Sequence, residues 1–218
     1  ISSESAATAR KTLQPLLRAK TVPVVPGFIG RAPDGGVATL GRGGSDLTAT
    51  LLGRAFKAPM VTLWKDVPGI LTSDPKLVPD TRLIPQLHHQ EAAEVAHYGA
   101  KVLHPRALIP ISGTKVVLEV RSFLDPTRPG TLVAGRHVST SYPVKAVAVL
   151  PKQAVVTVAG KGMVGVPGIA ARTFAAVDVE RLSVSTIFQG SSESSIGFTL
   201  PEAEAERQVL EIQRLQGE

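Results

Sequence analysis

Short β-branched and apolar runs alternate with segments of helical periodicity, and this alternation constrains the fold more than any other feature of the chain. Residues 60–64 (MVTLW) and 116–120 (VVLEV) read as buried strands. Residues 21–25 (TVPVV) are β-branched, are bounded by Pro26-Gly27, and read the same way. Between the strands lie helical patterns. Residues 2–20 place Ala6, Ala9, Leu13, Leu16 and Leu17 at helical spacing, with Pro15 imposing a kink or a late start. Residues 47–57 place Leu47, Leu51, Leu52 and Ala55 on one side, and Ser45 is a natural N-cap for them. Residues 90–103 carry Glu91, Glu94 and Lys101 and end before Pro105. Asp34-Gly35-Gly36 tolerates positive φ, so residues 32–36 are expected to join 28–29 to 37–40 as a hairpin. Residues 66–80 hold three prolines and read as loop. Buried strands separated by helices argue for an α/β sheet with parallel pairs.

The texture changes over residues 128–142, where Gly, Thr, Ser and Pro dominate. A linker is expected at 136–145, dividing a unit of 1–135 from one of 146–218. In the second unit, residues 154–159, 182–188 and 195–200 read as strands. Residues 166–177 read as a helix with Ile169, Ala170, Phe174 and Val177 on one face, and 201–215 as another with Val209, Ile212 and Leu215. That order, β-α-β-β-α, supplies five of the six elements of a ferredoxin-like unit. The sixth strand is due where the chain stops, so this unit is expected to be incomplete.

Composition removes several classes of function. There are no cysteines, hence no disulfides, thiolate metal sites or cysteine nucleophiles. Apolar residues make up 43%, enough for a core, yet no run is long enough to span a bilayer. No secretory h-region is visible, so a cytoplasmic protein is expected, or a plastid one in a plant. The net charge of +6 is scattered and aromatics are only 4%. That fits small anionic ligands and argues against a nucleic-acid partner or a membrane.

Four stretches can carry chemistry. Gly41-Arg42-Gly43-Gly44-Ser45-Asp46 precedes a helix. Its backbone N–H groups and the helix dipole suit an anion, Arg42 a carboxylate or phosphate, and Asp46 an ammonium. The alternative is a tight turn with Ser45 as a plain cap. It fits neither G-x-G-x-x-G nor the Walker pattern. Lys65-Asp66 through Lys76 follows a strand at its carboxyl end, where open α/β sheets bind ligands; an ordinary surface turn is the other reading. Lys101, in GAKVLHP, is either a point charge for a polyphosphate or a solvated lysine at a helix end. Residues 160–168 and 189–195 offer free N–H groups and acceptors of the kind a small amino acid needs; equally, they are flexible loops of an interaction module. The five histidines lack zinc-site spacing, with His104 read as structural, and no G-x-S-x-G elbow occurs.

Taken together, GFIGRAPDGGVATLGRGGSD, LWKDVPGILTSDPK and EAAEVAHYGAKVLHP resemble the aspartate kinases of the amino acid kinase family. GKGMVGVPGIAARTFAAV with SVSTIFQGSSESSIGFTLPE is similar to their first ACT domain, closest to forms linked to homoserine dehydrogenase. The resemblance covers nearly the whole chain. It implies an amino acid kinase-like sheet with helices on both faces, followed by a ferredoxin-like ACT βαββα unit. It implies that Arg42, Gly43, Gly44, Ser45 and Asp46 hold L-aspartate, with Asp46 on its amino group. Lys65, Asp66, Leu71, Lys76, Lys101 and Val102 would hold ATP, although Leu71 falls where a stacking Tyr is common. Mg²⁺ would arrive without a protein metal site, and catalysis would rest on positioning and charge neutralisation. Lysine or threonine would bind at an interface between ACT domains of a homo-oligomer, at Met163, Val164, Gly165, Val166, Pro167, Gly168, Gln189, Ser191, Ser192 and Glu193. The family's opening Lys-Phe-Gly-Gly-Thr-Ser strand, with its catalytic Lys, does not occur in this sequence. The chain is therefore expected to be inactive alone, as a piece of a longer enzyme. A non-catalytic amino-acid sensor is the alternative; glutamate, uridylate and carbamate kinases are disfavoured by the ACT-like tail.

Overall fold

The structure is a computed structural model that describes residues 3–98, 102–136, 143–190 and 194–205. The chain divides into two compact units, Ile1–Val149 and Leu150–Glu218.

In the first unit, helix α1 (Ser3–Arg18) runs through Pro15 and packs along α2 (Gly44–Ala55), where the Arg10 guanidinium donates to the Ala55 carbonyl at 3.1 Å. Strands β1 (Ile29–Arg31) and β2 (Val37–Thr39) form the expected hairpin. Its turn is closed by the Gly36 N–H donating to Asp34 Oδ1 at 2.9 Å, with Gly35 at φ 88°. The main sheet contains β3 (Met60–Lys65), β4 (Gln86–His88), β5 (Val117–Ser122) and β6 (Thr131–Ala134) in the order β3-β5-β6-β4. The β3–β5 and β4–β6 pairs are parallel, whereas β5–β6 is antiparallel.

One face of this sheet is the core. Leu63, Leu87, Leu118 and Val133 pack there with Ala92, Leu103, Ala107, Leu108 and Ile111. Full burial of one such aliphatic side chain stabilises the fold by about 2 kcal/mol. Helices α2 and α3 (His89–His97) both cover that face. The opposite face carries Thr62, Trp64, Glu119 and Arg121, with Arg121 stacked 5.7 Å from the Trp64 ring. The helical layer expected on it is not among the described residues.

Several expectations are corrected. Residues 21–25 are not a buried strand: Val22 and Val24 are 85% and 93% exposed. Pro23 and Pro26 lack the N–H a central strand requires. Ser45 is not the cap of α2; Gly43 is, at φ 71° and with no side-chain bond. Helix α3 stops at His97, short of 103. Residues 131–134, inside the Gly/Thr/Ser/Pro-rich stretch 128–142, form the central strand β6, while most of the expected linker 136–145 lies outside the described residues. Lys145 pairs with Glu91 at 2.6 Å, and the Val147 N–H donates to the Thr72 carbonyl.

The second unit is an antiparallel sheet of β7 (Gln153–Ala159), β8 (Thr186–Gln189) and β9 (Ser195–Pro201), ordered β7-β9-β8. Strand β9 lies between β7 and β8, which α4 (Ile169–Val179) connects, the split β-α-β arrangement of ferredoxin-like folds. Phe174 and Val177 of α4 pack on Phe198 and Leu200. The helix starts at Ile169, later than residue 166, because Gly168 caps it at φ 85°. Likewise β8 starts only at Thr186, not at 182. Residues 202–205 are helical, and the rest of the expected last helix lies outside the described residues. No helix among the described residues is long and apolar enough to cross a membrane.

His89 makes one consequence of this packing measurable. It is 5% exposed, and its Nε2 has no hydrogen-bond partner among the described residues. Burial, helped by neighbouring His88, holds its pKa below the usual histidine value. The folded unit therefore keeps the ring neutral, whereas the unfolded chain takes up a proton below about pH 6.5. Stability should be unaffected above that pH and should fall as pH drops towards the lower folded-state pKa. His89→Gln should flatten the loss of melting temperature between pH 7.5 and 5.0. An unchanged pH profile would remove His89 as its source.

Candidate functional site

The glycine-rich loop sits where three elements converge. Strand β3 ends in Lys65, and the first turn of α2 presents Asp46 to it. Lys65 Nζ lies 2.8 Å from Asp46 Oδ2 and 2.9 Å from Oδ1, with both side chains mostly buried. The Asp46 carboxylate lies in the first turn of α2, whose N–H groups no helical carbonyl can reach. The third element is the turn 104–108, which begins with the 3-10 segment Pro105–Ala107. Its His104 ring packs so tightly on Gly43 that a Cβ there would overlap it, meeting Cγ at 2.6 Å. From the same turn, Arg106 Nη1 donates to the Leu40 carbonyl at 2.8 Å. Thus the GRGGSD block and the His104–Arg106 turn, about sixty residues apart, are in direct contact.

Within the loop, Gly44 is buried while Arg42 and Ser45 face outwards, open to a ligand. Asp66 is exposed just beyond β3. Leu71 is half-buried and bridged to Leu83, and Lys76 is exposed in a turn whose N–H donates to Asp74 Oδ1. Neither Leu71 nor Lys76 has a hydrogen bond or ion pair to the loop among the described residues. Val102 packs against the core; Lys101 lies outside the described residues. No group of three His, Asp or Glu side chains converges as a metal site among the described residues.

In the second unit a groove of about 330 Å³ is lined by Met163, Gly165, Val166, Pro167, Gly168 and Gln189, together with Ile169, Ala170 and Ile196. Its volume suits a small molecule, and the N-terminus of α4 opens onto it. Val164 is 57% exposed and is not part of the lining. Ser191, Ser192 and Glu193 lie outside the described residues.

Sequence reasoning missed Arg106. The only available signal was a cation directly after His104-Pro105, and charge alone does not say that it reaches a backbone carbonyl 66 residues away.

The profile of the amino acid kinase family matches residues 2–122, more than half of the chain. This chain belongs to the amino acid kinase family. A profile of the ACT domain matches residues 156–214 of this kinase-family chain. The chain is 39% identical to the bifunctional aspartokinase/homoserine dehydrogenase of Haemophilus influenzae, over 88% of its own length and 24% of that protein. It is also similar to E. coli aspartokinase III, solved in complex with lysine and aspartate in the T-state, at 38% identity and a TM-score of 0.72. That match covers 89% of this chain and 43% of the other. The R-state of the same protein, in complex with aspartate and ADP, matches at 37% identity and a TM-score of 0.75, over 90% of this chain and 43% of that one. The amino acid kinase chain thus spans well under half the length of these relatives.

Proposed function

We propose that the complete protein transfers the γ-phosphoryl group of MgATP to the β-carboxylate of L-aspartate. A carboxylate oxygen bonds to Pγ, the bond from Pγ to the β–γ bridging oxygen breaks, and ADP leaves with 4-phospho-L-aspartate formed. The observation that carries this reading is the Asp46–Lys65 pair, which sets an ammonium-binding carboxylate beside a phosphate-binding cation in one site. Arg42 and the loop N–H groups hold the α-carboxylate, Ser45 and Asp46 the rest of the aspartate head. Lys65, Asp66, Leu71, Lys76, Lys101 and Val102 serve the nucleotide. Mg²⁺ enters with the ATP phosphates it neutralises.

The groove of the second unit is the effector site for lysine or threonine, its size matching an amino acid and the α4 N-terminus facing the carboxylate. Inhibition follows if the effector binds two global states unequally, with ACT domains of a homo-oligomer paired.

The test is hydroxylamine trapping on the complete gene product with ATP, Mg²⁺ and L-aspartate, alone and with lysine, threonine or both. Aspartyl hydroxamate should form, and one effector should suppress it. Arg42→Ala should raise the aspartate KM about tenfold or more, because a charge-assisted bidentate contact is lost. An unchanged KM would sink the Arg42 assignment. Absence of hydroxamate from a folded complete protein would leave amino-acid sensing as the function.

A further inference from the structure

The outward-facing Arg42 sits in a loop whose shape is set from outside it. Leu40, the residue before the loop, is fixed on both sides of its backbone: its N–H donates to the Phe28 carbonyl at 2.7 Å, and its carbonyl accepts from Arg106 Nη1 at 2.8 Å. Gly41 lies under the same guanidinium, since a Cβ there would meet Nη1 at 3.7 Å. At the other end His104 fills the space beside Gly43. Arg106 and His104 belong to one rigid turn. The Arg106 N–H donates to His104 Nδ1, the Ala107 N–H to the His104 carbonyl and the Leu108 N–H to the Pro105 carbonyl. The next two side chains, Ala107 and Leu108, are 0% and 3% exposed. The turn is therefore anchored in the core, and it grips both ends of Gly41–Gly43, a segment with glycines at φ 73° and 71° that is tied to α2 by the Gly44 N–H donating to the Gly41 carbonyl at 3.0 Å.

We propose that Arg106 is the positioning residue of the Gly41–Asp46 loop, holding its N–H groups and Arg42 in the arrangement that a substrate carboxylate requires. This rests on the reading of the loop as the aspartate site. It assigns Arg106 no contact with substrate. Its work is to remove conformational freedom before binding, so that the ordering cost does not fall on the ligand.

Arg106→Met removes the donor and keeps an unbranched stem; Arg106→Lys keeps a cation able to donate to Leu40. In the complete protein, Arg106→Met should raise the aspartate KM about fivefold, the loss of one hydrogen bond's net contribution, while kcat and the ATP KM stay within about twofold. Arg106→Lys should recover most of that loss. Amide hydrogen exchange gives a reading independent of activity. In Arg106→Met, residues 40–45 should exchange about tenfold faster, while α3 keeps its protection.

An unchanged aspartate KM in an active enzyme overturns the proposal, with or without faster exchange, because the contact is then merely structural. If the wild type makes no hydroxamate, the aspartate reading fails, and exchange alone decides whether Arg106 holds the loop: faster exchange at 40–45 supports it and unchanged exchange overturns it.

Discussion

Gly130→Ala should cost the first unit at least ~3 kcal/mol, the upper range for a forced insertion into a packed interior. Gly130 directly precedes β6, at the point where that strand meets β5. A Cβ there would overlap the Val120 carbonyl oxygen, with the carbonyl carbon at 2.8 Å and Arg121 Cα at 2.9 Å. These are backbone atoms of the neighbouring strand, so no rotamer change relieves the contact. Strands β5 and β6 must separate where Val120 faces Thr131. From that pair, Thr131 Oγ1 accepts from the Ile70 N–H at 2.8 Å and ties down the loop after β3. Leu118, Val120 and Val133 are each 0% exposed, so any opening lets water reach the centre of the core. A loss of this size lowers the melting temperature of a unit of this length by about 10 °C. Gly113→Ala is the control: Gly113 has φ 70° but nothing among the described residues within 4 Å of a new Cβ, so only the backbone cost of about 1 kcal/mol applies. Thermal melts of both variants check the contrast. A Gly130→Ala protein melting within about 2 °C of the wild type would mean that the ladder yields easily there.

The same region shows what the sequence conceals. Strands β3 and β5 were legible because each is a run of mainly apolar and β-branched residues, although β3 buries only Leu63 and leaves Met60 and Trp64 45% and 50% exposed, and the hairpin was legible because Asp34-Gly35-Gly36 has local turn chemistry. Strand β6 was not legible. Its Gly130-Thr131 start follows Arg128-Pro129, and what makes it central is its pairing with β4 and β5, partners that lie far from any local signal. Strand β4 is three residues long, with Leu87 alone buried, too short for any period to register. Conversely, Val22, Val24 and Val25 have strand composition, but no neighbouring strand pairs with them among the described residues. In the proposed site, the residue types at 41–46 and 65–66 suggest anion and ammonium chemistry from the sequence alone. Their meeting was not legible, because the residues alone assign Asp46 to an ammonium and Lys65 to the nucleotide. The folded chain pairs them with each other.

That pairing makes Asp46 and Lys65 the most sensitive residues of the proposed site. Both Asp46 oxygens are engaged by Lys65 Nζ, and the side chains are only 16% and 24% exposed. An incoming ammonium must share the carboxylate with Lys65 or displace it. A nucleotide phosphate drawing Lys65 away would free Asp46, so each substrate prepares the place of the other. In the complete protein, Asp46→Asn or Lys65→Met should each lower kcat/KM about 100-fold or more, as removal of a preorganised charge typically does. Asp46→Asn should act mainly on the aspartate KM and Lys65→Met on the ATP KM. Each single change leaves a partly buried charge without its partner, so each should also lower the melting temperature. The double variant separates the two effects. Stability should partly return, because no lone charge remains, while activity should stay at least as low as in the worse single variant and fall short of the product of the two losses. If either single variant keeps kcat/KM within about threefold of the wild type, the pair is a structural ion pair and the site lies elsewhere.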